Sequence, residues 1–379
     1  LSNGLCSLKP KEDKLCFAAV FELDENAHVR NEWYGKTIIH SDRRFTYEEV
    51  QQIIEDKAGE YGEEILKLNA LAYKLRDAKF KNGAISFETT EVKFKLDEKG
   101  KPIGVYVKER KDAHKLIEDF MLLANKKVAE YVSKLGKGKH KYTFVYRAHD
   151  SPNPETLGNF AQFAARFGYR INTKSDKEIA KSLNFLMEDV EGKKEQNVLT
   201  HLAIRSMAKA IYTTKTSSHY GLAFDHYTHF TSPIRRYPDV MVHRLLFHYL
   251  NGGQSANAEH YEKLCQHSSA MEKKASDAER ASIKYKQAEY LQDNIGSIYN
   301  GIISGVTEWG MYVEIIENKC EGMIRLRDIA DDFYTLDEKN YAIIGQRKKK
   351  IYQLGDEVRI KVKNVDLTKK QIDFSLVQD

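Results

Sequence analysis

The alternation of apolar and polar positions divides the chain into two parts with different rhythms. Residues 14–24 (KLCFAAVFELD) and 29–40 (VRNEWYGKTIIH) are β-rich runs and predict two strands. Thr46 and Glu49 then form a T-x-x-E capping box, which starts a helix. Helical spacing continues through Val50, Ile53 and Ile54, and again through Ile65, Leu68, Leu71 and Leu75, until Gly83 breaks it. EVKFKL, a turn at 97–100 and GVYVKE predict a hairpin. A long helix follows, capped by Asp112 and carrying Leu116, Phe120, Val128 and Val132; the Gly/Lys loop at 135–139 ends it. Further helices are predicted at about 154–167, 176–188, 196–212 and 256–293, the second opening on a box from Ser175 to Glu178.

After Asn294-Ile295-Gly296 the rhythm changes to short alternating strands separated by Gly, Asn and Asp turns. About five strands in about 80 residues predict a small closed barrel of the OB type. The fold class is therefore α+β: a mixed α/β unit over 1–293 and a five-stranded OB-fold barrel over 294–379. At 379 residues the chain has enough material for cores of ordinary size.

Composition narrows the functional classes. No apolar run reaches the roughly 18–20 residues of a membrane span, and charges at Lys9, Lys11, Glu12, Asp13 and Lys14 interrupt any signal-peptide pattern. The four cysteines, Cys6, Cys16, Cys265 and Cys320, form no CxxC pair; they read as reduced thiols of a cytoplasmic protein. The net charge of +5 is compatible with nucleic acid. From residue 295 onward 13 basic face 14 acidic residues, so the positive excess lies in the first part. The chain opens at Leu1 on a turn-like Ser-Asn-Gly that runs into a strand, as the middle of a domain would.

The densest chemistry lies in 219–244, HYGLAFDHYTHFTSPIRRYPDVMVHR. Arg235 and Arg236 follow a Ser-Pro turn, Ile234 is expected to anchor that turn in the core, and Asp239 can pair with one arginine. A planar guanidinium holds two phosphate oxygens at once, which suits phosphate handling. A structural Arg–Asp network under a turn is the alternative.

FTSPIRRYPD followed by HR resembles the signature of the ribonuclease II/ribonuclease R family of processive 3′-to-5′ exoribonucleases, on the ribonuclease R side. LSNGLCSL at 1–8, RFTYEEV at 44–50, GAISFETTEVKF at 83–94 and ERKDAHKLIEDFMLLAN at 109–125 match in order. The resemblance implies that Arg235 contacts the scissile phosphate and that Tyr47 and Glu118 hold the last nucleotide and help select ribose. Phe87 would stack on the terminal base, Arg236 would join in binding RNA, and Glu279 would lie near the active site. Read as residues alone, Tyr47 could staple its helix, Phe87 could be core, and Glu118 stands beside an apolar helix face. The barrel resembles the S1-type RNA-binding domain, with Trp309 and Tyr312 as stacking aromatics and Arg325 where many such domains carry histidine. The run 347–350 is either a steering patch or a solvated loop.

The family implies Mg2+ held by aspartates in a D-x5-D-x-DD stretch, since Mg2+ favours octahedral oxygen coordination. No such stretch occurs in 1–293, and no metal ligand is assigned in this chain. The expected parent activity is Mg2+-dependent release of nucleoside 5′-monophosphates from the 3′ end of single-stranded RNA. The expected partner is that RNA, not a membrane, and the expected state is a monomer. The chain itself is expected to bind RNA without efficient cleavage; the alternative is an RNA-binding module only. A metal-free nuclease using Arg235 with His219 or His229 as base is a third reading.

Overall fold

The computed structural model describes residues 2–86, 91–135, 141–193 and 195–377. Strands β1 (Asp13–Leu23) and β2 (Val29–His40) form a long antiparallel hairpin. Helices α1 (Tyr47–Asp56) and α2 (Gly62–Lys81) follow. The sequence spacing suggested one continuous helix here. The chain instead turns through left-handed backbone at Lys57 and Tyr61, around Gly59 at φ 144°. The predicted hairpin is β3 (Glu91–Leu96) with β4 (Pro102–Lys108), and the long helix is α3 (Asp112–Leu135). Asp112 is the first helical residue, and its carboxylate accepts from the Tyr73 hydroxyl at 2.7 Å.

Next come β5 (Tyr146–Ala148), α4 (Pro154–Ala165), α5 (Asp176–Asp189), α6 (Gln196–Ser206) and β6 (Ile211–Thr213). The helix expected over 196–212 thus ends at Ser206. The β-branched run from Ile211 pairs with β5, and the Tyr212 amide donates to Ser269. Helices α7 (Tyr237–Leu250) and α8 (Ala258–Gln292) complete this part. One core joins α3 and α7 with the β1–β2 hairpin and the β5 and β6 strands, through Tyr34, Val128, Phe144, Tyr212, Met241 and Leu245. A second joins α4, α5 and α6 through Leu157, Phe160, Leu183, Leu186 and Leu199.

The barrel is closed by five strands, as the alternation predicts: β7 (Ile298–Val306), β8 (Gly310–Ile315), β9 (Glu321–Arg325), β13 (Glu357–Asp366) and β14 (Gln371–Leu376), in the order β13-β14-β9-β8-β7. Inserted between β9 and β13 is a small sheet of β10 (Tyr334–Asp337), β11 (Ala342–Gly345) and β12 (Ile351–Gln353), which the sequence reading did not separate. Inward residues Ile303, Met311, Val313, Ile315, Ile324, Ile360 and Phe374 fill the barrel, and Ala288 and Leu291 of α8 pack into the same core. The insert reaches the other way. Leu354 is buried in the α4–α6 core, and Tyr341 meets the Phe163 ring edge-on at 5.1 Å between centroids.

Phe374 has no exposed surface, and an added Cβ at Gly322 would fall 2.6 Å from its ring. Truncation in such a site forfeits transfer energy and leaves a cavity. Phe374→Ala should therefore destabilise the barrel by about 3–5 kcal/mol, read as a lowered denaturant midpoint; an unchanged midpoint contradicts this packing.

Candidate nucleic-acid interface

The arginine turn is built on one buried carboxylate. Pro238 sits in the first turn of α7, where a missing N–H is harmless. Asp239 follows with no exposed surface. Its Oδ1 accepts from the Ser232 amide at 2.7 Å and from Arg236 Nη2 at 2.8 Å. The Arg235 and Arg236 amides donate back to the Ser232 carbonyl. The eight residues from Ser232 to Asp239 are thereby closed into a fixed turn. Arg235 projects from it into solvent, its one side-chain hydrogen bond among the described residues a long 3.5 Å approach to Ser232 Oγ. Ile234 does not anchor the turn in the core: it is 55% exposed. Asp239 holds the turn from beneath, so no apolar anchor is needed.

Beside the turn, α1 and α3 frame a cleft of about 480 Å³. The capping box on Thr46 fixes the start of α1, and Gln51 Oε1 accepts from the Ala113 amide at the start of α3. Tyr47 therefore stacks flat on His114, with centroids 4.1 Å apart and planes at 13°. Glu118, one turn further along α3, pairs with Arg110 at 2.5 Å. Tyr47, Glu118, Asn125, Tyr227, Thr231 and Arg236 line the cleft. The structure thus brings Tyr47 and Glu118 together with Arg236, while Arg235 stands outside the cleft wall. Phe87 lies outside the described residues. His114 and Arg110 were not singled out from sequence, although the i,i+4 spacing of His114 and Glu118 on one helix face carried the signal.

Beneath the cleft is a polar layer. Asn125 donates to the Tyr227 hydroxyl at 3.1 Å and accepts from the Phe230 amide at 2.9 Å. The Tyr212 hydroxyl meets His229 Nδ1 at 2.8 Å. Burial pulls His219 down to about 3, helped by the charges of His149 and Arg147. Burial also pulls His229 down to about 2, with Arg236 and Arg147 adding to it. Imidazoles so depressed are not bases poised near neutrality, which speaks against the metal-free reading.

Glu279 is exposed on α8, two turns beyond Glu272, which pairs with Arg147 at 2.7 Å. It is not among the residues lining the cleft. On the barrel, Trp309 is 71% exposed at the β7–β8 turn and Tyr312 is half-exposed on β8. Arg325 pairs with Asp373 at 3.1 Å. In the 347–350 run, Arg347 lies over the Phe333 ring and Lys350 over Tyr352. The Arg347 and Lys348 amides donate to Asp332, so the run is an ordered turn. Among the described residues no three His, Cys, Asp or Glu side chains are grouped so as to hold a metal ion.

A family model for the RNB domain matches residues 1–252. The chain belongs to the ribonuclease R/ribonuclease II family. A model for the S1 RNA binding domain matches residues 292–376 of this family member. Ribonuclease R of Thermotoga maritima is 37% identical over the whole chain and 54% of its own length. Ribonuclease R of Aquifex aeolicus is 35% identical, again over the whole chain and 54% of its own length. The ribonuclease R of Mycoplasma genitalium, solved with ribose-methylated single-stranded RNA, superposes with a TM-score of 0.91 at 25% identity, over 99% of this chain and 60% of that one. The chain spans about half the length of the ribonuclease R relatives it matches.

Two outcomes follow for this site. Asp239→Ala leaves the part-buried Arg236 charge without its partner and the Ser232 amide without its acceptor, and should cost about 3 kcal/mol. Arg235→Ala, on an exposed side chain, should stay within about 0.5 kcal/mol. Comparable losses in denaturant unfolding would refute this division of labour. The second concerns acid. Unfolded histidine takes up a proton near 6.5, whereas folded His219 and His229 do so only near about 3 and about 2. Between these values the unfolded state binds more protons, so stability is full above about pH 6.5 and falls as pH drops, by about 1.4 kcal/mol per unit for each imidazole. His229→Asn should flatten this acid limb, measured as Tm from pH 8 to pH 5; an unchanged slope contradicts it.

Proposed function

We propose that the protein is a processive 3′-to-5′ exoribonuclease that hydrolyses single-stranded RNA to nucleoside 5′-monophosphates with Mg2+, and that this chain supplies the parts that grip the RNA 3′ end. The observation that carries the reading is the cleft in which Tyr47, Glu118 and Arg236 converge beside the exposed Arg235. The S1 RNA binding match and the RNA-bound Mycoplasma relative support it.

Each group has a task its chemistry suits. Arg235 has donors free for a phosphodiester and can hold two of its oxygens. Arg236 keeps one edge on Asp239, while its Nε has no partner among the described residues; it adds positive potential to the cleft wall. The Glu118 carboxylate can accept from a ribose 2′-hydroxyl, the group that distinguishes RNA from DNA. The outer face of the Tyr47–His114 stack offers a surface for a base. Among the described residues no three His, Cys, Asp or Glu side chains are grouped for a metal, and we propose that the chain alone binds RNA without efficient cleavage.

The test is the affinity of the chain for a labelled single-stranded RNA at several salt concentrations. Each phosphate contact should contribute about 0.7 to the slope of log affinity against log salt. Arg235→Ala should reduce that slope by about one contact. Incubation with Mg2+ should release mononucleotides from the full-length protein and few from this chain. Absence of binding, a flat salt response, or products other than mononucleotides from the full-length protein overturns the proposal.

A further inference from the structure

Arg110, His114 and Glu118 follow one another at a helical spacing and all line the cleft framed by α1 and α3. Arg110 itself precedes the helix, in the short link from β4 to α3. The backbone beside it is well fixed. The Lys111 carbonyl accepts from the His114 and Lys115 amides, and Gln51 and Tyr73 bind the first turn of α3 through Ala113 and Asp112. From that point the Arg110 guanidinium reaches Glu118 Oε2 at 2.5 Å. Glu118 Oε1 has no partner among the described residues. Both side chains are roughly half exposed, and an ion pair so placed adds little to folding stability. Its effect falls on the cleft instead. A glutamate side chain is flexible, and ordering it only when a ligand arrives would consume binding energy. An unpaired carboxylate would also repel the phosphates that Arg235 and Arg236 attract.

We propose that Arg110 is a positioning residue for sugar selection: it pins one oxygen of Glu118 so that the other is presented to a ribose 2′-hydroxyl. The pair also keeps that side of the cleft neutral, so the carboxylate accepts a hydrogen bond without opposing the RNA backbone. Arg110 is engaged by Glu118, which distinguishes it from the exposed Arg235 with its donors left for phosphate. The inference rests on the reading of Glu118 as the acceptor of a 2′-hydroxyl, and adds the residue that prepares it for that task.

The experiment compares the affinity of the whole chain for two labelled oligouridylates of about 12 nucleotides, one all ribose and one with 2′-deoxyribose in its 3′-terminal nucleotides. The unaltered chain should favour the ribose end by about tenfold, the worth of one hydrogen bond to a charged group. Arg110→Ala should cut that preference to about threefold or less with no change in the denaturant midpoint, the ribose-ended RNA losing more affinity than the other. Arg110→Lys keeps a charge for the carboxylate and should recover part of the preference. In a Glu118→Ala background, Arg110→Ala should leave the preference where it is. An unchanged preference in Arg110→Ala overturns the inference, whether affinity is untouched or falls equally for both RNAs with a salt slope lower by about 0.7, the mark of a phosphate ligand. Absence of any recovery with lysine overturns it too. If the unaltered chain fails to bind RNA, the proposed function fails first; if it binds without preferring the ribose end, the reading of Glu118 fails. If it prefers the ribose end and Arg110→Ala is silent, this inference alone fails.

Discussion

The site depends on one fully buried carboxylate. Asp239 holds the Ser232 amide and the Arg236 guanidinium with the same oxygen. A charge with no access to water is tolerable only when it is paired and hydrogen-bonded, so the turn is fixed by the high penalty of any geometry that would leave Asp239 alone. This divides two adjacent arginines. The second neutralises Asp239 and borders the cleft, while the first is left to face solvent. A turn held from below by a carboxylate also needs no apolar plug, which is why Ile234 can lie outside.

The polar layer beneath the cleft serves the same end by other means. Asn125 links α3 to Tyr227 and Phe230, and Tyr212 links the β5–β6 pair to His229. The amide and the phenols are neutral at physiological pH by their nature, and burial keeps His229 neutral as well. They give the cleft a floor of fixed dipoles while the formal charges stay on its walls, with Arg236 on one side and the Glu118–Arg110 pair on the other.

Much of this was legible in the sequence. Strict alternation and turn residues revealed the barrel strands, and capping residues with 3.6-residue spacing revealed α1, α3, α5 and α8. The missed strands share a cause. Strands β5, β6 and β12 have three residues each, too few for any period to emerge. The break between α1 and α2 turns through left-handed Lys57 and Tyr61 around Gly59, and the glycine there was read past because helical spacing resumes at Ile65. In the site, the ordered motifs brought Tyr47 and Glu118 to one cleft. Which arginine lines that cleft was not readable, because Arg235 and Arg236 are neighbours of the same type. The decision is made by Asp239, three residues after Arg236 in the first turn of a helix. The stacking of Tyr47 on His114 likewise depends on how α1 crosses α3, which no local pattern encodes.

The small β10–β12 sheet bears on how the two halves of the molecule move. The barrel is fastened at one end by Ala288 and Leu291 of α8, a helix about 50 Å long. It is fastened again by Leu354 and Tyr341, which plug into the α4–α6 core. A body pinned at a single point can swivel; one pinned at two points separated across its width cannot do so without pulling one of them free. The insert therefore acts as a brace. It turns what would be a hinge at Asn294 into a joint held at two places, so that the barrel and the helical part share a set spacing.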